Sequence, residues 1–199
     1  ARFIRTAEKG ENRMKERMPP NQHLSKTLIP LHIESPIPSI PEEAWTLKVE
    51  GLVETPVLWT LAQLKATFAD SLVGDFHCVT GWSSFDLRLE GLTLSHLMEL
   101  VKPKPEARYV LFQAEGVYTT NLPLEYLRRE PAIIAWQLNG APVPRNNGGP
   151  LRFFVPGKYA YKAIKWLRSI RFLEREERGY WEVRGYSNSA DPWKEERFD

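Results

Sequence analysis

Six of the chain's 16 prolines crowd into residues 19–44, at Pro19, Pro20, Pro30, Pro36, Pro38 and Pro41. Proline has no backbone N–H to donate, fixes φ near about −65°, and pushes the residue before it towards extended backbone. This stretch therefore cannot form regular helix and is expected to run extended over the body of the protein. The remaining prolines are scattered to position 192, so the chain reads as rich in loops. Aromatic residues, 12% of the total, run throughout and argue for a packed globular chain rather than disorder. A length of 199 residues suits one domain, or at most two small ones, with room for a sizeable core.

Hydrophobic periodicity marks the elements that follow. Residues 1–18 are mixed in charge and read as a solvated arm, leaving 19–199 as the folded domain. Trp45, Leu47 and Val49 alternate with Thr46, Lys48 and Glu50, the pattern of a half-buried strand. Gly51 and Pro56 turn the chain, and Thr60 with Gln63 forms a capping-box signature before Leu61, Leu64 and Phe68. Residues 73–80 predict a strand running into Gly81, and Phe85, Leu87 and Leu89 a second one that ends at Gly91. Leu94, Leu97, Met98 and Val101 have helical spacing, with Pro103 as the stop. The runs YVLFQA (109–114) and IIAWQL (133–138) are apolar on both faces, as central strands are, and Asn139-Gly140 turns the chain after the second. Strands alternate irregularly with short helices, which gives an α+β fold of mixed β-sheets and not a regular βαβ series.

Composition narrows the chemistry. One cysteine excludes an internal disulfide, a Cys₄ or Cys₂His₂ zinc site and an iron–sulfur cluster held by this chain alone. A mean hydropathy of −0.41 and the lack of any uninterrupted apolar run of about 18 residues argue against membrane insertion. The polar start, with only Phe3 and Ile4 together, carries no export signal, so a cytoplasmic location is expected, or a periplasmic one if a leader has been removed.

The net charge of +2 conceals an uneven distribution. Between Arg145 and Arg171 lie seven basic residues and no acidic one. The same segment holds Asn146, Asn147, Gly148 and Gly149 before Pro150, a loop whose glycines would let backbone N–H groups converge on an anion. If 158–168 is helical, Lys158, Lys162 and Lys165 share one face. Such a run is either a solvated basic face or, given the interleaved Phe153, Phe154, Tyr159, Tyr161 and Trp166, a partly buried clamp for an anionic ligand. That ligand would be a phosphate-bearing cofactor or a nucleic acid.

Cys78, in DFHCVTGWSS, is the second feature. It reads as an inert core thiol, a nucleophile or a soft metal ligand. His77 is its neighbour, but adjacent strand residues face opposite ways, so it is a poor base for Cys78. A lone thiolate suits a metal whose other ligands come from a cofactor. His32 and His96 carry no motif. His23, with Asn21, Gln22 and Ser25, forms a polar interruption in the proline-rich arm, and Tyr118, Thr119, Thr120 and Asn121 read as an ordinary turn rich in donors.

Five blocks in order carry a resemblance: DFHCVTGWSS, YTTNLPLEYL, NNGGPLRFFVPGKYAYKAIKWL, GYWEVRGY and DPWKEERF. Together they resemble the sulfite-oxidase-type molybdopterin oxidoreductases, most of all their small single-domain bacterial members such as the methionine-sulfoxide reductase catalytic subunits. The resemblance covers about residues 19–198 and implies a sulfite-oxidase-like molybdopterin-binding fold. It also implies a molybdenum (occasionally tungsten) centre on one molybdopterin, whose dithiolene gives two sulfurs and Cys78 the third, performing two-electron oxygen-atom transfer on a small substrate. By the same likeness, Asn147, Arg152, Ala163, Ile164 and Lys165 would contact the pterin or its phosphate, with Lys162 adding charge. Asn21, His23, Leu24 and Ser25 would close the cofactor from the arm. Electrons would pass to a separate carrier: a cytochrome, a quinone-linked membrane subunit or a flavoprotein. Sulfite oxidases place arginines just after the ligand cysteine, whereas here Val79, Thr80, Gly81, Trp82 and Ser83 follow it and Arg88 is the nearest downstream arginine, so sulfite is not the expected substrate. The competing readings are a cysteine hydrolase using Cys78 and a basic module binding nucleic acid through 145–171; no recognised nucleic-acid motif supports the latter.

Overall fold

The structure, a computed structural model, describes residues 16–31 and 36–199. Most of the predicted arm (residues 1–15) and His32 lie outside the described residues. The described part of the proline-rich segment is extended as expected. Among its described residues the pairing is a two-residue strand, β1 (His23–Leu24), and the helical piece a 3₁₀ turn at Glu42–Ala44.

Two sheets follow from the alternating strands. One has the order β3 (Val57–Thr60), β2 (Thr46–Gly51), β11 (Leu167–Leu173), β6 (Tyr109–Ala114), β7 (Thr119–Pro123). Here β11 runs parallel to β2 and antiparallel to β6, so the sheet is mixed. The other sheet is built on the long strand β5 (Trp82–Thr93), which pairs with β1, with β4 (Asp70–Cys78) and with β8 (Ile133–Leu138). Strand β8 in turn carries β9 (Ala141–Pro142) and β10 (Arg152–Phe154). Among the described residues, the short helices α1 (Leu61–Thr67), α2 (Leu94–Val101) and α3 (Leu124–Arg129) complete an α+β architecture.

Local signals hold where they were strongest. Thr60 accepts from the Gln63 N–H and the Gln63 side chain accepts from the Thr60 N–H, the reciprocal cap that starts α1. Leu94, Leu97 and Val101 bury one face of α2. The apolar runs on β6 and β8 are central, as their two-sided burial requires. Phe112 of β6 stacks on Phe153 of β10 with ring centroids 4.1 Å apart, which joins the two sheets through the core. Trp45, fully buried, donates its indole N–H to the Leu167 carbonyl at 3.0 Å.

Two expectations fail for identifiable reasons. Gly91 does not end a strand; β5 continues to Thr93, and its register against β8 shifts between Glu90 and Gly91. A Cβ at Gly91 would overlap the Ile134 carbonyl oxygen and lie 2.8 Å from Ala135 Cα, so glycine is needed for close backbone approach inside the sheet. Residues 158–168 are not a helix either. A turn after Pro156-Gly157 leads into a 3₁₀ turn at Ala160–Lys162, Trp166 takes a left-handed φ of 52°, and β11 begins at Leu167. The three lysines therefore share no face.

Gly91→Ala is expected to lower unfolding stability by about 2 kcal/mol or more, as overpacking against main-chain atoms does. Urea denaturation of the purified variant checks it.

Candidate active site

Strand β4 ends at Cys78, and a tight turn follows in which Gly81 (φ +102°) donates its N–H to the Cys78 carbonyl at 3.0 Å. Cys78 lines a cavity of about 740 Å³, part of it open to solvent. Cys78 is 6% exposed, and its Sγ lies 3.1 Å from Thr80 Oγ1. A hydroxyl so placed donates to the sulfur once the sulfur is a thiolate.

Behind the cysteine runs a buried polar chain. Gln22 donates from Nε2 to the Cys78 carbonyl at 3.1 Å, and Ser83 donates to Gln22 Oε1 at 3.3 Å. With its single proton so directed, Ser83 Oγ accepts from His77 Nδ1 at 2.8 Å, which fixes the His77 tautomer. Burial pushes His77 down to about 4, so the ring is neutral near pH 7. It packs edge-on to Trp193 at 5.1 Å and does not line the cavity, as strand alternation predicts.

A second wall comes from the basic segment, through fewer of its residues than the charge run suggested. Arg152, 5% exposed, donates from Nη1 to the Asn147 carbonyl at 2.8 Å and from Nε to the Ala163 carbonyl at 3.3 Å. Its guanidinium lies 5.0 Å from the Phe76 ring centroid and 4.9 Å from that of Phe154. Lys165 donates to the Leu31 carbonyl and covers Trp166 at 4.9 Å. Asn147, Arg152, Ala163, Ile164 and Lys165 thus line the same cavity as Cys78.

The structure places several of the other expected residues away from this cavity. The N–H groups of Asn147, Gly148 and Gly149 bond Pro144 and Arg145 carbonyls within their own turn, so no backbone nest is left to bind an anion. Gly148 is glycine because a Cβ there would stand 2.5 Å from Lys165 Cγ, at a φ of +97°. Lys162, predicted to add charge to the cofactor, has no exposed surface and does not line the cavity. Its ammonium donates to Glu182 Oε1 at 2.5 Å, to the Asn121 carbonyl at 2.9 Å and to Asn121 Oδ1 at 3.0 Å. Burial pushes the Lys162 ammonium below the ordinary lysine range, and Glu182 opposes that shift. Asn21, His23, Leu24 and Ser25 do not line the cavity: Asn21 donates to Glu195, His23 and Leu24 form the exposed β1, and Ser25 bonds Ser83 and Thr27 backbone. The arm reaches the cavity instead through Ile29, Pro30 and Leu31. The other basic residues also disperse: Arg145 bonds the Ile40 carbonyl, Arg168 pairs with Glu115, Arg171 with Glu177, and Lys158 lies over Tyr126. No basic stripe remains to support nucleic-acid binding.

Sequence reasoning missed the aromatic wall. Tyr118, Tyr161, Trp181 and Tyr186 line the cavity, and Thr119–Pro123, expected as a turn, is strand β7. Thr120 and Asn121 are buried there because they serve the Lys162–Glu182 pair; Thr120 donates to Glu182 Oε1 at 2.6 Å. No local pattern announces a partner 20 residues away.

Comparison with known proteins adds independent findings. A family model described as an oxidoreductase molybdopterin-binding domain matches residues 34–181. The chain is 38% identical over 183 residues to YuiH, an uncharacterized oxidoreductase of Bacillus subtilis, and the match covers 92% of each chain. It is 32% identical over 153 residues to the protein-methionine-sulfoxide reductase catalytic subunit MsrP of Xanthomonas campestris, covering 69% of this chain and 47% of that protein. The match thus spans about half the length of MsrP. Among solved structures, the sulfane dehydrogenase SoxCD from Paracoccus pantotrophus superposes with a TM-score of 0.64 over 71% of this chain and 41% of that one. At 19% identity, that is a likeness of fold.

Glu182→Ala leaves a buried ammonium without its counter-ion and is expected to destabilise the protein by about 3–5 kcal/mol. The double change Lys162→Met with Glu182→Leu should recover most of that loss, measured by chemical denaturation of both variants.

Proposed function

The chain belongs to the molybdopterin-binding oxidoreductases of sulfite-oxidase type, and from that footing we propose that it catalyses two-electron oxygen-atom transfer on a small molecule, with Cys78 as the protein's ligand to the metal. The observation that carries this reading is that Cys78 lines the same cavity as Arg152 and Lys165. Family membership makes the protein an enzyme and molybdopterin its cofactor. The donor set fits that group. Among the described residues no three His, Cys, Asp or Glu side chains gather into a metal site, so a metal at Cys78 takes its other donors from the cofactor.

When bound, the cofactor supplies two dithiolene sulfurs and a metal, molybdenum or tungsten, that changes oxidation state by two electrons. The chain's own part is binding and orientation. Cys78 gives one thiolate, and the Thr80 hydroxyl lies 3.1 Å from its sulfur, where it helps to orient it. Gln22 fixes the Cys78 carbonyl, and with it the turn that aims the thiol. Arg152 and Lys165 offer cationic donors for the pterin's phosphate, and Asn147 adds an amide. In the net reaction a bond between the substrate's heteroatom and oxygen is made or broken, water is the source or sink of that oxygen, and two protons and two electrons balance it. The electrons pass to or from a separate carrier: a cytochrome, a quinone-linked membrane subunit or a flavoprotein. A relative named as a catalytic subunit supports such a division of labour, and its name favours a sulfoxide-like substrate.

Cys78→Ser and Cys78→Ala are each expected to lower turnover by about 10³-fold or more, with circular dichroism unchanged, as the loss of a metal ligand would. Arg152→Ala and Lys165→Ala should purify with less pterin, read by fluorescence after acid oxidation, and with less molybdenum or tungsten by elemental analysis. Full activity in Cys78→Ala, or unchanged metal in both cation variants, would sink the assignment.

A further inference from the structure

Two peptide units follow Cys78 before the turn closes at Gly81, and their carbonyls are held from opposite directions along the chain. The Cys78 carbonyl accepts from Gln22 Nε2, 56 residues upstream, at 3.1 Å and from the Gly81 N–H at 3.0 Å. The Val79 carbonyl accepts from Arg197 Nη1, 118 residues downstream. A peptide unit is planar, so holding two in succession fixes both dihedrals of Val79, the residue between them. The second unit ends in Thr80, whose Oγ1 lies 3.1 Å from the Cys78 sulfur. Arg197 therefore bears on the sulfur through one carbonyl and one hydroxyl. Val79 and Thr80 also line the cavity, so the same bond sets part of its wall.

The guanidinium is itself well held. The Arg197 side chain is 20% exposed, and its guanidinium lies 5.0 Å from the ring centroid of Tyr159, which is fully buried. Glu195 stands 4.0 Å away, at the limit of ion pairing, which leaves the Val79 carbonyl as the directed bond. The backbone is anchored too. The Arg197 carbonyl accepts from the Ser187 N–H at 3.0 Å, and Phe198 forms a β-bridge with Tyr186.

The two holders are also joined to each other. Glu195 accepts from Asn21 Nδ2 at 2.5 Å, one residue before Gln22, and the His23 N–H bonds the Gly81 carbonyl at 2.9 Å. Residues 21–23 and 195–197 thus form one clamp around the cysteine turn. Arg197 does not line the cavity, so it acts through the turn and not on a ligand.

We infer that Arg197 is a positioning residue for Cys78: with Gln22 it holds the two peptide units after the cysteine, so that Val79 and Thr80 keep the sulfur in the placement a metal requires. This rests on the reading of Cys78 as the metal's ligand.

Alkylation of Cys78 by iodoacetamide in the whole chain without cofactor reads the turn independently of any metal. Arg197→Met keeps the stem and removes the bond, and should speed alkylation by about tenfold or more, the weight of one hydrogen bond to a charged group. Arg197→Lys, which keeps a cationic donor, should return the rate most of the way to wild type. Gly91→Ala, destabilised within the sheet and away from the turn, should leave it unchanged under native conditions, which separates placement of the turn from lost stability. In metal-loaded protein the paramagnetic resonance of the one-electron-reduced metal should shift in Arg197→Met, return in Arg197→Lys and stay fixed in Gly91→Ala. A wild-type alkylation rate in Arg197→Met, or a rise that Gly91→Ala shares, overturns the inference. Wild-type protein that never takes up metal overturns the reading of Cys78 as a ligand, and the alkylation rates still decide whether Arg197 holds the turn.

Discussion

Lys162 and Glu182 meet where water is excluded from both, and three parts of the cavity wall depend on that meeting. Lys162 closes the 3₁₀ turn whose neighbours Ala160, Tyr161, Ala163 and Ile164 line the cavity. Asn121 and Thr120 tie the pair to β7, just after Tyr118. Glu182 carries the turn between Trp181 and Tyr186. Removing two charges from water is costly, and attraction in a low-dielectric interior offsets it only when the remaining protons and lone pairs find partners. Lys162 has three acceptor contacts and Glu182 Oε1 has two donors, so most of that condition is met; Glu182 Oε2 is the atom left without a partner. An apolar pair could fill the same volume, but it would not set the angle of the turn as a directional bond does.

A second joint links the cysteine to the cationic wall. Phe76 lies two residues before Cys78 on β4, so both side chains leave the strand on the same face. Phe76 stacks on Trp82, which follows the cysteine turn, and receives the Arg152 guanidinium on its ring. Arg152 in turn holds the Asn147 and Ala163 carbonyls. Movement of the thiol relative to the arginine would require breaking this aromatic and hydrogen-bonded sequence of contacts. The two groups proposed to grip opposite parts of one cofactor are therefore preorganised by the protein.

Local physics was legible in the sequence wherever one element decides its own conformation. The alternation at 45–50, the cap at Thr60, the apolar face of α2 and the two-sided burial of β6 and β8 all follow from periods of two or 3.6. Cys78, Arg152 and Lys165 stood out by residue type, and they do line one cavity. What stayed hidden depends on partners distant in sequence. Lysines at 158, 162 and 165 fit helical spacing, yet Lys162 is drawn inward by Glu182 and Lys165 towards Leu31. Gly91 looked like a terminator because its true constraint, the approach of β8, is set by pairing more than 40 residues on. Asn147, Gly148 and Gly149 looked like an anion nest because sequence does not show that their N–H groups close their own turn.

The two ends of the cavity differ in how they are encoded, and the difference bears on which of them a single substitution can alter alone. Asn147, Arg152, Ala163, Ile164 and Lys165 come from one contiguous stretch, braced by its own turn and by β10. The aromatic wall gathers Tyr118, Tyr161, Trp181 and Tyr186 from separate segments, and two of these sit on a short turn held by one carboxylate. A substitution at Trp181 or Tyr186 alters the shape and polarity of the cavity without touching the Arg152 contacts. The reverse does not hold, because Arg152 packs on Phe76 and Phe154 in the main core. The contiguous stretch is therefore constrained by core packing, whereas two rings of the aromatic wall depend on a single short turn.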